Sequence, residues 1–237
     1  YDLASVVGMG TGPEGSAGYP LVSVYLTGDE VRRVLEISVL LSQLLRNSYF
    51  LQVSGLRMRF DPDRAILFRI PFRGTPVPTG RAVLDAWRIT PAGDVELARG
   101  DTALYHVVTD YYVASFLPMV GSMLPQLALL PKDRAGMPIT HIDDAVVMHD
   151  GRELKVWQAV MDHLGASAAG PGTVPPRYSE AEGRLVQVAA LPLWLLPLLA
   201  LLALAALAGW FLARRRVRGR APAAAPGAAP DRRAAPR

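Results

Sequence analysis

Cysteine is absent from the 237 residues. That excludes a disulfide framework, a thiolate metal site and a cysteine nucleophile. It leaves the compartment open, because an exported protein need not carry disulfides. Several catalytic signatures are missing too. The four histidines, His106, His141, His149 and His163, form no H-E-x-x-H or H-x-H pair, and no G-x-S-x-G occurs. Gly10, Gly12 and Gly15 have the bare G-x-G-x-x-G spacing, with Pro13 inside it, but that spacing alone is a weak signal and no G-K-[ST] follows. That stretch reads as a flexible loop. An initiating methionine is also lacking: the chain opens at Tyr1 in strand-like residues, as a fragment or a processed product would.

Basic charge is scarce outside one end. The formal charge is +4, yet Arg214–Arg237 holds eight arginines and one aspartate, so the tail's +7 leaves −3 for the first 213 residues. Nucleic-acid binding needs a basic footprint on a domain or an arm with a reading module, and neither is present. Charge is missing altogether from Val188 to Ala213, 26 residues in a row. Roughly 20 apolar residues span a bilayer core, so a transmembrane helix is expected at 188–213, with the lipid bilayer as its partner. Trp194 and Trp210 lie about 24 Å apart along such a helix, near the spacing of interfacial anchors. Arg214, Arg215, Arg216, Arg218 and Arg220 follow at once. The positive-inside rule then places residues 1–187 outside and the C-terminus in the cytoplasm. The Ala/Pro-rich residues 214–237 read as a disordered tail.

Upstream lies a mixture of strands and helices. Tyr19 to Leu26 alternates as a strand. Thr27 and Glu30 form a capping box, followed by Val31, Val34, Leu35, Ser38, Leu41 and Leu45 at helical spacing, with Arg32, Arg33 and Glu36 on the other side. Tyr49 to Phe60 reads as a strand pair or a strand bulged at Ser54-Gly55, since a single inserted residue brings Leu51, Val53, Leu56, Met58 and Phe60 to one face. Asp61-Pro62-Asp63 is a turn. Strands are expected at Ile66–Phe72, Ala82–Ile89 and Leu104–Thr109, and a helix through Phe116–Leu124 with Pro118 in its first turn. Asp150 and Glu153 repeat the capping spacing ahead of a helical stripe of Leu154, Trp157, Val160, Met161 and Leu164. With no steady βαβ rhythm, the fold class is α+β. The expected boundaries are a domain over 1–165, a Gly/Pro-rich juxtamembrane spacer over 166–187, the span, and the tail.

Chemistry-bearing residues are sparse. His141, Asp143 and Asp144 cluster in ITHIDD and read as a solvated loop rather than a cation site, and Asp150 beside His149 reads as a helix cap rather than a metal ligand. The residues specify no catalytic group and no metal set. Asn47, Tyr49, Phe50 and Gln52 sit where a helix meets a strand, and Tyr111, Tyr112 and Phe116 follow a strand end. An aromatic at such an edge can stack on a base, although core or rim packing is the commoner role. Arg57, Arg59 and Arg69 lie on strands, where solvated faces and phosphate contacts are both open readings.

Leu26-Thr27-Gly28-Asp29-Glu30-Val31, Phe50 to Leu56, Asp61-Pro62 and Tyr105 to Gly121 occur in the order seen in one family. Over roughly residues 1–165 the chain resembles the C-terminal domain of the bacterial 5′-nucleotidase and 2′,3′-cyclic-nucleotide 2′-phosphodiesterase family. The resemblance implies a C-terminal substrate-binding domain for a nucleotide or nucleoside. It also implies an N-terminal metallophosphoesterase domain in the same parent chain, holding two divalent metal ions, toward which the C-terminal domain rotates with its substrate. No cofactor is expected in this segment. The family stacks a base between two aromatics. Here Val7 stands where the first is usual. Asp110-Tyr111 matches the second, but Ser115-Phe116-Leu117-Pro118 replaces the Gly-Gly-Asp-Gly that follows. Tyr111 alone carries over as substrate-binding. The expectation is the substrate-binding part of a membrane-anchored nucleotidase-like hydrolase of nucleotide catabolism in a bacterial cell membrane. The alternative is a non-catalytic extracytoplasmic binding or interaction domain that kept the fold and lost the pocket.

Overall fold

In the computed structural model, which describes residues 10–45, 49–167, 178, 180–189 and 195–218, β1 (Leu21–Thr27) buries Val22, Val24 and Leu26 on one face. Thr27 ends the strand and caps α1 (Gly28–Leu44): its hydroxyl accepts from the Glu30 amide while the Glu30 carboxylate accepts from the Thr27 amide, the reciprocal box expected from T-x-x-E. β1 pairs antiparallel with β7 (Leu104–Asp110), Leu21 opposite Asp110. Its other side is tied by single bridges to Lys132 and Val146, and Pro20, just before the strand, bridges to Lys155.

A second, four-stranded sheet runs in the order β10 (Leu185–Gln187), β2 (Leu56–Phe60), β5 (Val83–Thr90), β6 (Gly93–Glu96). Among the described strands only the β10–β2 pair is parallel. Between the sheets, Val31, Leu35, Val39 and Leu40 of α1 join Met58, Val83 and Ala86 in the core. Two hairpins complete the strands: β3 (Ile66–Arg69) with β4 (Pro76–Pro78), and β8 (Met148–His149) with β9 (Arg152–Glu153). The short helices α2 (Tyr111–Ser115) and α3 (Leu117–Met123) follow β7, and α4 (Val156–Ser167) follows β9. Mixed helix and largely antiparallel strand fits the α+β expectation.

Several expectations need correction. Arg32 and Glu36 do not face solvent; they are 5 % and 3 % exposed. Arg32 donates Nη1 to the Leu97 carbonyl at 3.1 Å and Nη2 to those of Val83 and Leu84 at 2.8 and 2.6 Å. Glu36 accepts the Ala82 amide at 2.8 Å and Arg99 at 3.0 Å. Both bind backbone groups that α1 would otherwise bury unpaired. Leu45, assigned to the apolar stripe, is exposed. Residues 51–53 are not strand. The irregularity falls at Arg59/Phe60 rather than Ser54-Gly55, and Gly55 instead makes a turn at φ 73°, its carbonyl taking the Ile89 amide. Asp150 caps no helix: with Gly151 it forms the tight β8–β9 turn, both at positive φ, as D-G dipeptides favour. Trp157 and Met161 of the α4 stripe are exposed. Finally, Leu185–Gln187, placed in the spacer, supplies a sheet strand.

The chain divides into two units, Tyr1–Ala190 and Leu191–Arg237. The second contains α5 (Leu195–Arg218). Among the described residues no helix is long and apolar enough to cross a membrane. The tail from 219 onward lies outside the described residues.

Candidate functional site

The β1–β7 register brings the beginning of one strand beside the end of the other, so the glycine stretch meets the Asp110–Phe116 segment. The Tyr111 amide donates to the Pro20 carbonyl at 2.9 Å. Asp110 caps α2, accepting the Val113 amide at 2.7 Å. That cap fixes the directions of the two tyrosines behind it.

Tyr111 packs its ring against the core and donates its hydroxyl to Asp143 Oδ1 at 2.6 Å. This bond, seconded by burial, raises its pKa above the ordinary value of 10.0, so the phenol remains a donor throughout the physiological range. Tyr112 points outward. Its ring lies 5.4 Å from Tyr19 and meets Phe116 edge-on at 4.8 Å. The result is a partly exposed group of three rings, Tyr19, Tyr112 and Phe116. Aromatic faces of this kind can stack on a planar base.

The glycine stretch is not an open loop where it is described. The Gly15 amide donates to Gly12 and that of Gly18 to Gly10, at 3.0 and 2.6 Å, closing a turn with a Thr11–Ala17 bridge. Glu153 Oε1 accepts the Glu14 amide at 2.8 Å, Lys155 Nζ donates to the Ser16 carbonyl at 3.2 Å, and the two side chains pair with each other. Gly18 sits at φ 96°, and a Cβ there would fall 2.7 Å from the Trp157 ring. Only glycine fits that position. A buried ion pair thus pins the loop that carries Tyr19 toward Tyr112.

The other candidates separate. Asp143 serves Tyr111, and His149 and Asp150 stand 3.5 Å apart in solvent. Among the described residues no three His, Asp or Glu side chains are placed to hold a metal ion. Phe50 packs on Phe60 at 5.1 Å while Tyr49 is exposed, 47 % accessible. Arg57 pairs with Asp94 at 2.7 Å, Arg59 with Asp85 at 3.1 Å, and Arg69 reaches the Gly74 carbonyl at 3.4 Å. Val6–Gly8 and Asn47 lie outside the described residues. Tyr19, Glu153 and Lys155 were not anticipated; the Asp150-Gly151 turn signal would have put Glu153 on a strand leading back to the loop.

An open cleft of about 270 Å³ lies at the opposite end of β1, lined by Asp29, Arg33, Glu36, Thr79 and Arg99 among others. Its charges pair internally: Arg33 with Asp29 at 2.9 Å and Arg99 with Glu36 at 3.0 Å. Burial pushes the Glu36 carboxyl above 4.5, whereas the Gly100 amide, with Arg33, holds Asp29 below 3.8.

Residues 12–117 match the family model of the 5′-nucleotidase, C-terminal domain. The resemblance carried by the Thr27 helix start and the Phe50–Leu56 and Asp61-Pro62 motifs is thereby shown, over a shorter range than 1–165. The match takes in Tyr19, Tyr111, Tyr112 and Phe116. Among solved structures the chain is similar to the 5′-nucleotidase precursor of Thermus thermophilus, at 24 % identity and a TM-score of 0.40, covering 73 % of this chain and 26 % of that one. It is also similar to the NAD nucleotidase of Haemophilus influenzae, at 14 % identity and a TM-score of 0.37, covering 73 % and 25 %. The chain therefore spans about a quarter of either structure. No curated protein matches it.

Proposed function

We propose that this chain is the substrate-binding part of a membrane-anchored 5′-nucleotidase-like phosphoester hydrolase, taking the nucleoside portion of its substrate at the Tyr19–Tyr112–Phe116 end. The observation that carries this reading is the family match across 12–117, within which the β1–β7 register assembles those rings. Tyr112 offers the open face, and Tyr111, its neighbour in the chain, is the residue the family motif assigns to the substrate. The described residues do not fit a metal pair. As the family resemblance implies, two divalent ions are assigned to a metallophosphoesterase domain elsewhere in the parent chain, and no hydrolytic step is assigned to these residues.

Calorimetric titration of the full chain with adenosine, AMP and inorganic phosphate tests the site. A stacked base contributes about 1–3 kcal/mol, so Tyr112→Ala and Tyr111→Ala are each expected to weaken adenosine and AMP binding by roughly five-fold or more. Phosphate alone should be unaffected. Unchanged nucleoside affinity in both variants would favour the alternative, an interaction domain without a nucleotide pocket.

The anchor is proposed at 188–213, with residues 1–187 outside the bacterial cell membrane. Its support is the uncharged run and the arginines after it, together with the unsheltered Leu198, Leu199, Leu201, Leu202, Leu204 and Leu207 of α5. Arg214 lies over the Trp210 ring at 4.1 Å, a pairing suited to a headgroup boundary. A periplasm-active reporter fused after Arg237 is expected to stay silent in cells and a cytoplasm-active one to function; the reverse pattern would overturn this orientation.

A further inference from the structure

The β3–β4 hairpin exposes residues that a water-facing hairpin normally hides. Every residue from 67 to 75 is exposed, among them Leu67, Phe68, Ile70 and Phe72. The tip is closed by backbone bonds from the Ile70 amide to Thr75 at 2.8 Å and from the Gly74 amide to Ile70 at 2.9 Å. Phe72 stands in that turn at φ 66°, uncommon for a bulky side chain, and the residue is 109 % exposed. The tip thus holds an aromatic ring fully out in solvent.

Charge sets the hairpin apart as well. Between residues 64 and 84 there are four arginines, Arg64, Arg69, Arg73 and Arg81, and no acidic residue. That +4 sits in a region, 1–213, whose formal charge is −3, so the remainder of the region carries −7. Apolar side chains interleaved with arginines on a projecting tip match the boundary of an anionic bilayer: the rings enter the acyl edge and the guanidinium groups meet phosphates.

We propose that the β3–β4 hairpin is a lipid-binding finger that inserts Phe72 and its apolar neighbours into an anionic membrane surface, with Arg69 and Arg73 on the headgroups. A protein partner fits less well. The nine exposed residues are few beside the roughly 20–30 per side of a stable protein interface. Pro76 and Pro78 also deprive β4 of amides with which an added strand would pair. The inference stands apart from the nucleotide reading and reads out whether or not 188–213 crosses the bilayer.

Because the chain has no cysteine, Phe72→Cys gives a single attachment point for an environment-sensitive fluorophore, and Glu96→Cys on exposed β6 gives a control. The full chain is reconstituted with phosphatidylcholine vesicles, with and without phosphatidylglycerol, carrying a quencher on the lipid chains. The label at 72 is expected to lose emission by about twofold or more on anionic vesicles while that at 96 changes little. Adding Arg69→Glu and Arg73→Glu to the Phe72→Cys chain should abolish the difference, since each arginine near such a surface strengthens binding by about fivefold. Equal quenching at 72 and 96, or quenching that survives the charge reversal, overturns the proposal. So does a lipid-independent emission shift at 72 that grows with protein concentration in detergent, which assigns the hairpin to a second copy of the chain.

Discussion

Glu30→Ala is expected to destabilise the chain by about 3–5 kcal/mol, the range for a buried ion pair that loses one partner. Glu30 is 4 % exposed, and its two oxygens serve four donors. Oε2 takes the Thr27 amide at 2.8 Å and the Thr27 hydroxyl at 3.0 Å, and Oε1 takes the Leu130 amide at 3.0 Å. Lys132 Nζ reaches both, at 2.8 and 2.7 Å. Removing the carboxylate uncaps α1 and frees the 130–132 segment, which bridges to β1 at Tyr25. It also leaves a largely buried ammonium with the Leu130 carbonyl, at 2.7 Å, as its remaining partner. The sign of the pH dependence follows. Burial pushes the Glu30 carboxyl up, but Lys132 and the Thr27 and Leu130 amides outweigh it and hold the group below 4.5. A depressed carboxylate stabilises fully above its unfolded value and loses that contribution as pH falls through the folded one. Urea unfolding of the wild type and of Glu30→Gln should therefore converge as pH drops below about 4.5. A gap between them that widens in acid would sink this account.

The same helix shows how far the residues alone could be read. Thr27 and Glu30 were legible because a capping box is local: four consecutive residues contain the whole device. Arg32 and Glu36 were not. Helical periodicity identifies a face without stripe residues, but not whether water or another strand covers it. Here β5 and the 97–99 segment cover it, and the long polar side chains bond their carbonyls and amides. Strand β10 escaped for a related reason, since three residues in a Gly/Pro-rich context carry almost no period, and only the open edge of β2 makes them a strand.

The candidate site divides in the same way. Tyr111 was found through a motif, and the motif predicts its backbone position well: Asp110 caps α2 and Tyr111 follows the strand end. Which tyrosine turns outward depends on Asp143, 32 residues later, which captures the Tyr111 hydroxyl and leaves Tyr112 as the exposed ring. No local pattern contains that pairing. Tyr19 likewise becomes part of the group only through the β1–β7 register and the folded glycine turn.

That turn is the subject of the second large effect, Glu153→Ala, expected to cost about 3–5 kcal/mol. The chain has only two lysines, Lys132 and Lys155, and both are paired with a buried glutamate. Glu153 and Lys155 are each 5 % exposed, and the loss of one leaves the other charged and dry. Two parts of the cost can be separated. The Glu14 amide loses its acceptor, worth about 1 kcal/mol, and the Lys155 ammonium loses its counter-charge, which accounts for the rest. Replacing both side chains by apolar ones of similar volume removes the second part but not the first. Glu153→Leu with Lys155→Met is therefore expected to recover about 2 kcal/mol or more of the single-variant loss in urea unfolding. The Glu14 amide should exchange with solvent faster in both variants, because neither restores its acceptor. Equal losses in the single and double variants would mean that the uncompensated ammonium is not the source of the effect. The site gives a further discriminator. If the pair holds the glycine turn against Trp157, the double variant regains stability while the turn stays loosened, so Tyr19 is less well held beside Tyr112. Nucleoside affinity should then remain below wild type in a protein whose core has recovered.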